Sequence, residues 1–218
     1  MIILSPYSVF EHLGEVEAVV NTINTKGYMG KGLALEFALR FPEMESEYKK
    51  LCQQGKIKPG DVWEYESEAS YYKSINPLER GKKKIRIYNV ATKDDFKFPS
   101  KIEWIESGVI KLREKIVNSN VKSIAIPKLG AGLGKLDWES VESIIVEHLY
   151  SLDCRIIVTL DYKKGPLEEF ALKEALKEIS NASLFGISEI KEVSRFRDLM
   201  NIENIGKKKY SDLVRRYF

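Results

Sequence analysis

The stretch "VVNTINTKGYMGKGLALEF", residues 19–37, runs from an apolar strand through two asparagines into a glycine loop at a helix start. Val19 and Val20 are β-branched and continue from Val16 and Ala18, as a buried strand does. Asn21 and Asn24 follow, then Gly27, Gly30 and Gly32, then an amphipathic helix from "GKGLALEFALRF". An amide carries both a donor and an acceptor. The pair therefore suits the vicinal hydroxyls of a ribose, or equally an Asx turn that closes the strand. Glycines ahead of a helix let backbone amides approach an anion, and the helix dipole favours negative charge there.

A second stretch repeats the pattern. "IPKLGAGLGKLDWESV", residues 126–141, places Gly130, Gly132 and Gly134 between a strand and a helix. Neither loop is a P-loop or a Rossmann G-x-G-x-x-G. Two such loops at one sheet edge suit a diphosphate held from both sides. In a third stretch, "YNVATKDDF" (88–96), a strand ends in Thr92-Lys93. If it shares the sheet, Lys93 emerges at the same edge, as a phosphate ligand, a nucleophile or a base, or as an ordinary surface lysine.

The remaining chain supplies the frame. MIIL (1–4), KIRIYNVA (84–91), SIAIP (123–127) and CRIIVTL (154–160) read as buried strands; DVWEYE (61–66) and SYYKSI (70–75) read as a hairpin arm. Helical patterns alternate with them: MESEYKKLCQQG, then a stripe at 102, 105, 109, 112 and 116, then DWESVESIIVEHLYSL. This alternation predicts a layered α/β fold with a largely parallel sheet, whose ligands bind beyond the carboxyl ends of the strands. KKGPLEE (163–169) reads as a boundary, followed by a helix to about residue 180 and a basic end.

Composition narrows the functions. The 218 residues are 44% hydrophobic and 31% charged, with net charge +3, ordinary for a globular domain. No apolar run approaches the ~20 residues a bilayer span needs. The start, MIILSPYSVF, lacks a basic n-region and a cleavage site, so no secretory signal is read. Cys52 and Cys154 are unclustered, which points to reduced thiols in the cytoplasm. His12 and His148 are isolated; no zinc spacing or G-x-S-x-G elbow is present, and no cofactor is called for. The clusters GKKKIR (81–86) and GKKKY (206–210) fit solvated surface or phosphate contact.

The three motifs together resemble the macrodomains, the ADP-ribose-binding fold, and more narrowly the DarG branch of antitoxins that remove ADP-ribose from DNA bases. That branch shows N-T-x-N-x-x-G-x-M-G-K-G-x-A, matched by residues 21 to 34; a P-T-K-like turn, matched by Ala91-Thr92-Lys93; and G-x-G-x-G-x-L-D-W, matched by residues 130 to 138. The resemblance implies a three-layer α/β/α fold with a mixed, largely parallel sheet over 1–163, and a small helical, basic extension over 164–218. It implies ADP-ribose contacts from Asn21, Thr22, Asn24, Gly27, Met29, Gly30, Gly32, Leu33, Thr92, Leu129, Gly130, Ala131, Gly132, Leu133 and Gly134, with Lys93 as the catalytic lysine. The implied partners are ADP-ribose, ADP-ribosylated single-stranded DNA and a DNA-targeting ADP-ribosyltransferase toxin. Lys31, Lys97, Lys101 and the 82–84 run would form a basic rim for the DNA. Three alternatives stand beside this: an ADP-ribose-binding module, an inhibitor that grips the toxin, and a hydrolase of modified protein carboxylates. The chain also departs from the pattern. Many macrodomains carry an aspartate that touches adenine in the stretch occupied here by SPYSVFEH, and an aspartate of the human-type relative falls nearest Gly134. Asp137 is expected to cap the following helix.

Overall fold

Strands form where β-branched residues run continuously, and helices where apolar residues recur every three or four positions. The computed structural model describes residues 1–75, 78–181 and 193–218. The strands are β1 (Ile2–Ser5), β2 (Ala18–Asn24), β3 (Val62–Ile75), β4 (Leu78–Lys93), β5 (Ser123–Pro127) and β6 (Arg155–Thr159). They form one sheet in the order β1-β6-β5-β2-β4-β3. All neighbours are parallel except β3, which runs antiparallel to β4 at the edge. The sheet is therefore mixed and largely parallel.

Alternate residues of the central strands feed two cores, as the two-residue side-chain period requires. Val19, Ile23, Ile87 and Ala91 face α1 (Gly32–Arg40) and α2 (Pro42–Gln53). Ala18, Val20, Tyr88 and Val90 face α3 (Ile102–Asn118) and α4 (Trp138–Leu149). The result is three layers, α/β/α. Asp137 caps α4, accepting the Ser140 amide at 2.9 Å.

One arm differs from the sequence expectation. Residues 61–66 and 70–75 do not pair with each other; they are consecutive parts of β3, and their partner is β4. Residues 62–75 are largely half-exposed edge residues, so no apolar face marks the strand as continuous. The long β4 also separates the basic clusters. Lys82 pairs with Glu68 at 2.9 Å, Lys83 donates to the Val16 carbonyl at 2.5 Å, and Arg86 lies 3.2 Å from Glu64 and Glu66. Ten residues of strand, about 33 Å, separate Lys83 from Lys93. The 82–84 run is therefore no part of a rim around Lys93.

After β6, α5 (Pro166–Asn181), a 3-10 turn (Phe196–Asn201) and α6 (Lys207–Tyr217) share a third apolar cluster with Leu39 of α1. The part of the expected extension at 182–192 lies outside the described residues. Polar contacts on several elements tie this cluster to the sheet domain, Tyr72 to the Tyr217 carbonyl and Arg195 to Asp161 (2.7 Å) among them. Tyr210 donates to Glu36 at 2.7 Å, and Glu11 accepts the Leu167 and Glu168 amides at 2.6 and 3.1 Å. Glu11 belongs to SPYSVFEH, the stretch that lacks aspartate. Its carboxylate is committed to the start of α5, and burial pushes its pKa up. Among the described residues, no helix is long and apolar enough to cross a membrane.

Candidate active site

The site begins with a register fault. Ile23 pairs with Ala91, but Asn24 pairs with Lys93, so Thr92 is an extra residue on β4. Such a bulge re-aims the side chains beyond it. It sets the end of β2 and the end of β4 side by side, with Asn24 next to Lys93.

The Asn24 side chain organises the loop that follows. Its Oδ1 accepts the Lys26 amide at 2.9 Å and the Tyr28 amide at 3.4 Å, while Nδ2 donates to the Tyr28 carbonyl at 2.6 Å. This is the Asx turn among the sequence alternatives. Tyr48 of α2 supports it, donating to the Asn24 carbonyl at 2.7 Å. From the other side Thr25 donates to Asp94 Oδ1 at 2.5 Å, and Lys26 reaches the same oxygen at 2.9 Å. Those two partners hold the Asp94 carboxyl below its ordinary range.

Asn21 takes a different place from the one expected. It is fully buried and donates to Asn89 Oδ1 at 2.9 Å across the β2–β4 ladder. Its own Oδ1 is buried with no partner. In this structure Asn21 sits beneath the site rather than at its surface. Met29 and Leu129 likewise depart from a ligand-lining role. They are 3% and 0% exposed and sit in the two apolar cores, where their side chains anchor the loops from below. Thr92 is buried, Thr22 half-buried and Gly27 buried with φ +81°. Gly30, Gly32 and Gly132 are exposed, Leu33 and Ala131 half-buried, and Gly130 and Gly134 buried.

Leu133 joins the two glycine loops. Its carbonyl accepts the Lys93 ammonium at 2.7 Å. Its side chain lies 3.1 Å from where a Cβ on Gly32 would stand, and Gly32 has φ +57°. Any other residue at 32 would be strained and would press on Leu133. The second loop is pinned from within. Leu136 donates to the Gly130 carbonyl at 3.1 Å and Ser100 donates to that of Gly134 at 2.9 Å. The three sequence motifs thus meet at one sheet edge, around Lys93 and Leu133. Burial, followed by the nearby positive charge of Lys135, lowers the Lys93 pKa from its ordinary value.

Sequence reasoning missed Asn89, Tyr48 and Asp94. Asn89 left a signal, since an asparagine interrupts KIRIYNVA as Asn21 ends VEAVVN. Tyr48 left none, because nothing local places a helix residue under a strand end. Two cavities lie near these elements, neither lined by Lys93 or Leu133. One, of about 420 Å³, sits behind the first loop at Thr25, Cys52 and Asp94; the other, of about 480 Å³, is lined by Asp61, Trp63 and Lys111 among others.

Residues 20–145 match the family profile described as Macro domain. The chain belongs to the macrodomain family. Within that family it is 39% identical over 138 residues to the DNA ADP-ribosyl glycohydrolase of Thermus aquaticus, covering 63% of this chain and 35% of that protein. It is 38% identical over 138 residues to the DNA ADP-ribosyl glycohydrolase of Mycobacterium tuberculosis, covering 63% and 36%. The solved macrodomain of Mycobacterium tuberculosis DarG superposes with a TM-score of 0.61 at 34% identity, over 73% of this chain and 98% of that one. A DNA ADP-ribosyl transferase–glycohydrolase fusion protein of Thermosipho africanus is 29% identical over 155 residues, 68% of this chain and 39% of the fusion. The chain therefore spans little more than a third of the length of each of these three curated relatives.

Proposed function

We propose that this macrodomain removes ADP-ribose from modified bases in single-stranded DNA and so opposes a DNA ADP-ribosyltransferase toxin. The observation that carries the reading is the convergence of Asn24, Lys93 and the 130–134 loop at one sheet edge. Similarity to DNA ADP-ribosyl glycohydrolases, and to a protein that fuses such an enzyme to a transferase, supports the substrate and the partner.

In this reading the two glycine loops take the diphosphate on their backbone amides, with the start of α1 (31–33) adding its dipole. Asn24 keeps the first loop in shape, and Asn21 with Asn89 supports the strand beneath it. Leu133 moves aside as the ligand enters, releasing Lys93 from its carbonyl. Lys93 then faces the distal ribose C1″ as a neutral amine, for which burial and Lys135 prepare it by disfavouring the ammonium form. It attacks C1″ or assists water. In sum the C1″–base bond breaks, the base takes a proton, water supplies a hydroxyl to C1″, and free ADP-ribose leaves. Holding the reacting atoms together supplies much of the rate. Catalysis is assigned to residues 1–163, with 164–218 as an appended helical unit. The setting is the cytoplasm, in keeping with two free cysteines.

The test is side-by-side turnover of ADP-ribosylated oligonucleotide and ADP-ribosylated glutamate peptide. Release of ADP-ribose from DNA in preference to peptide supports the proposal. Release from peptide alone, or tight ADP-ribose binding with no release, overturns it.

A further inference from the structure

Three aromatic side chains stand exposed beside the proposed catalytic lysine: Tyr28 at 58%, Phe96 at 46% and Phe98 at 65%. Tyr28 comes from the first glycine loop, and the two phenylalanines from the segment just after Lys93. The Tyr28 and Phe96 rings meet with centroids 4.9 Å apart at 61°, edge to face. In that arrangement the edge of one ring meets the face of the other, and all three side chains keep about half or more of their surface exposed. The backbones beneath are held in place. Tyr28 is fixed by Asn24 through its amide and carbonyl. Asp95 accepts the Lys97 amide at 2.9 Å through its side chain and the Phe98 amide at 3.2 Å through its carbonyl. Aromatic faces presented on fixed turns lose little freedom when something stacks on them.

The surroundings are basic. Lys97 lies 5.7 Å from the Phe96 ring centroid, and Lys31 and Lys101 are exposed on the flanking segments. Of the acidic neighbours, Asp94 is paired with Lys26 at 2.9 Å, and Asp95 is engaged by the Lys97 amide. Aromatic faces interleaved with lysines fit a strand whose bases are unstacked and whose backbone is anionic. A duplex keeps its base faces covered and offers nothing to these rings.

We propose that Tyr28, Phe96 and Phe98 form a stacking platform for the unmodified bases that flank the adduct in a single DNA strand, with Lys31, Lys97 and Lys101 taking its phosphates. The proposal rests on the DNA reading of the site and adds how the strand itself is held. It makes the enzyme prefer an adduct embedded in a strand to the same adduct on a lone nucleoside.

The test measures ADP-ribose release by the full chain from an ADP-ribosylated nucleoside and from the same nucleoside within a strand of about 12 nucleotides. Wild type is expected to favour the strand. The triple variant Tyr28→Ala, Phe96→Ala, Phe98→Ala is expected to lose about tenfold or more of that preference, read as the ratio of strand to nucleoside kcat/KM, with thermal stability unchanged. Retained preference, or equal loss on both substrates, overturns the platform. So does a larger loss on ADP-ribosylated peptide than on DNA, which would make the patch a protein surface. If wild type releases ADP-ribose from neither DNA substrate, the functional proposal fails. The platform is then judged by fluorescence anisotropy on an unmodified single strand. Salt-sensitive binding lost in the triple variant upholds it, and binding that is absent or unaffected overturns it.

Discussion

Gly132 and Gly134 are two residues apart in the same loop, yet alanine is expected to be tolerated at the first and costly at the second. A Cβ at Gly134 would stand 2.1 Å from the Gly130 carbonyl oxygen and 2.4 Å from Ser100 Oγ. At Gly132 nothing lies within 4 Å, and the backbone is not in the left-handed region. Gly134→Ala must therefore push the loop off its own carbonyl. That strains the Leu136–Gly130 and Ser100–Gly134 hydrogen bonds, each contributing about 1 kcal/mol. Overpacking of this kind costs about 1–3 kcal/mol, so a total near 2–3 kcal/mol is expected. For a chain of this size that lowers Tm by about 4–12 °C. Gly132→Ala should stay within about 0.5 kcal/mol of wild type. Thermal unfolding of the two variants beside wild type is the assay, and calorimetric titration with ADP-ribose reads the loop's function. Gly134→Ala is expected to weaken ADP-ribose binding as well, since the displaced loop carries Leu133. Equal Tm values for the two variants, or a larger loss at 132, would refute this account of the loop.

Other expectations concern charge. The proposed reaction needs Lys93 neutral, so kcat/KM should rise with pH through the Lys93 pKa, below the ordinary ~10.4 of lysine. Lys135→Glu removes a like charge and adds an opposite one, which favours the ammonium, raises that pKa and moves the rise to higher pH. A pH–rate profile that shifts downward or stays put contradicts the assignment. In the C-terminal unit, Tyr210 is fully buried and its hydroxyl donates to Glu36 at 2.7 Å. Tyr210→Phe should cost about 1.5–3 kcal/mol, the range for a hydrogen bond to a charged group. Urea unfolding measures it, and an unchanged midpoint would show that the contact contributes nothing.

Much of this was legible in the chain because buried elements write their periodicity plainly. SIAIP and CRIIVTL each carry an unbroken apolar run, 124–127 and 156–158, and became β5 and β6 nearly as read. The helix stripe from 102 to 116 likewise became the buried face of α3. β3 was misread because an edge strand with two half-exposed faces needs no apolar alternation. At the site, the sequence brought the right segments forward but not their division of labour. Asn21 and Asn24 look alike in sequence, yet one is sealed under the sheet edge and the other shapes a loop. The difference comes from Asn89 and Tyr48, which meet them only through the β2–β4 register and the packing of α2. The bulge at Thr92, which brings Lys93 beside Asn24, has no signature in "VATKDD" either.

The most direct measurement is ADP-ribose release from modified single-stranded DNA by Lys93→Ala, alongside that variant's affinity for free ADP-ribose. Affinity is expected to be retained and release lowered by about 10²–10⁴-fold. Release at the wild-type rate would show that the amine at the junction of the three motifs does not perform the chemistry.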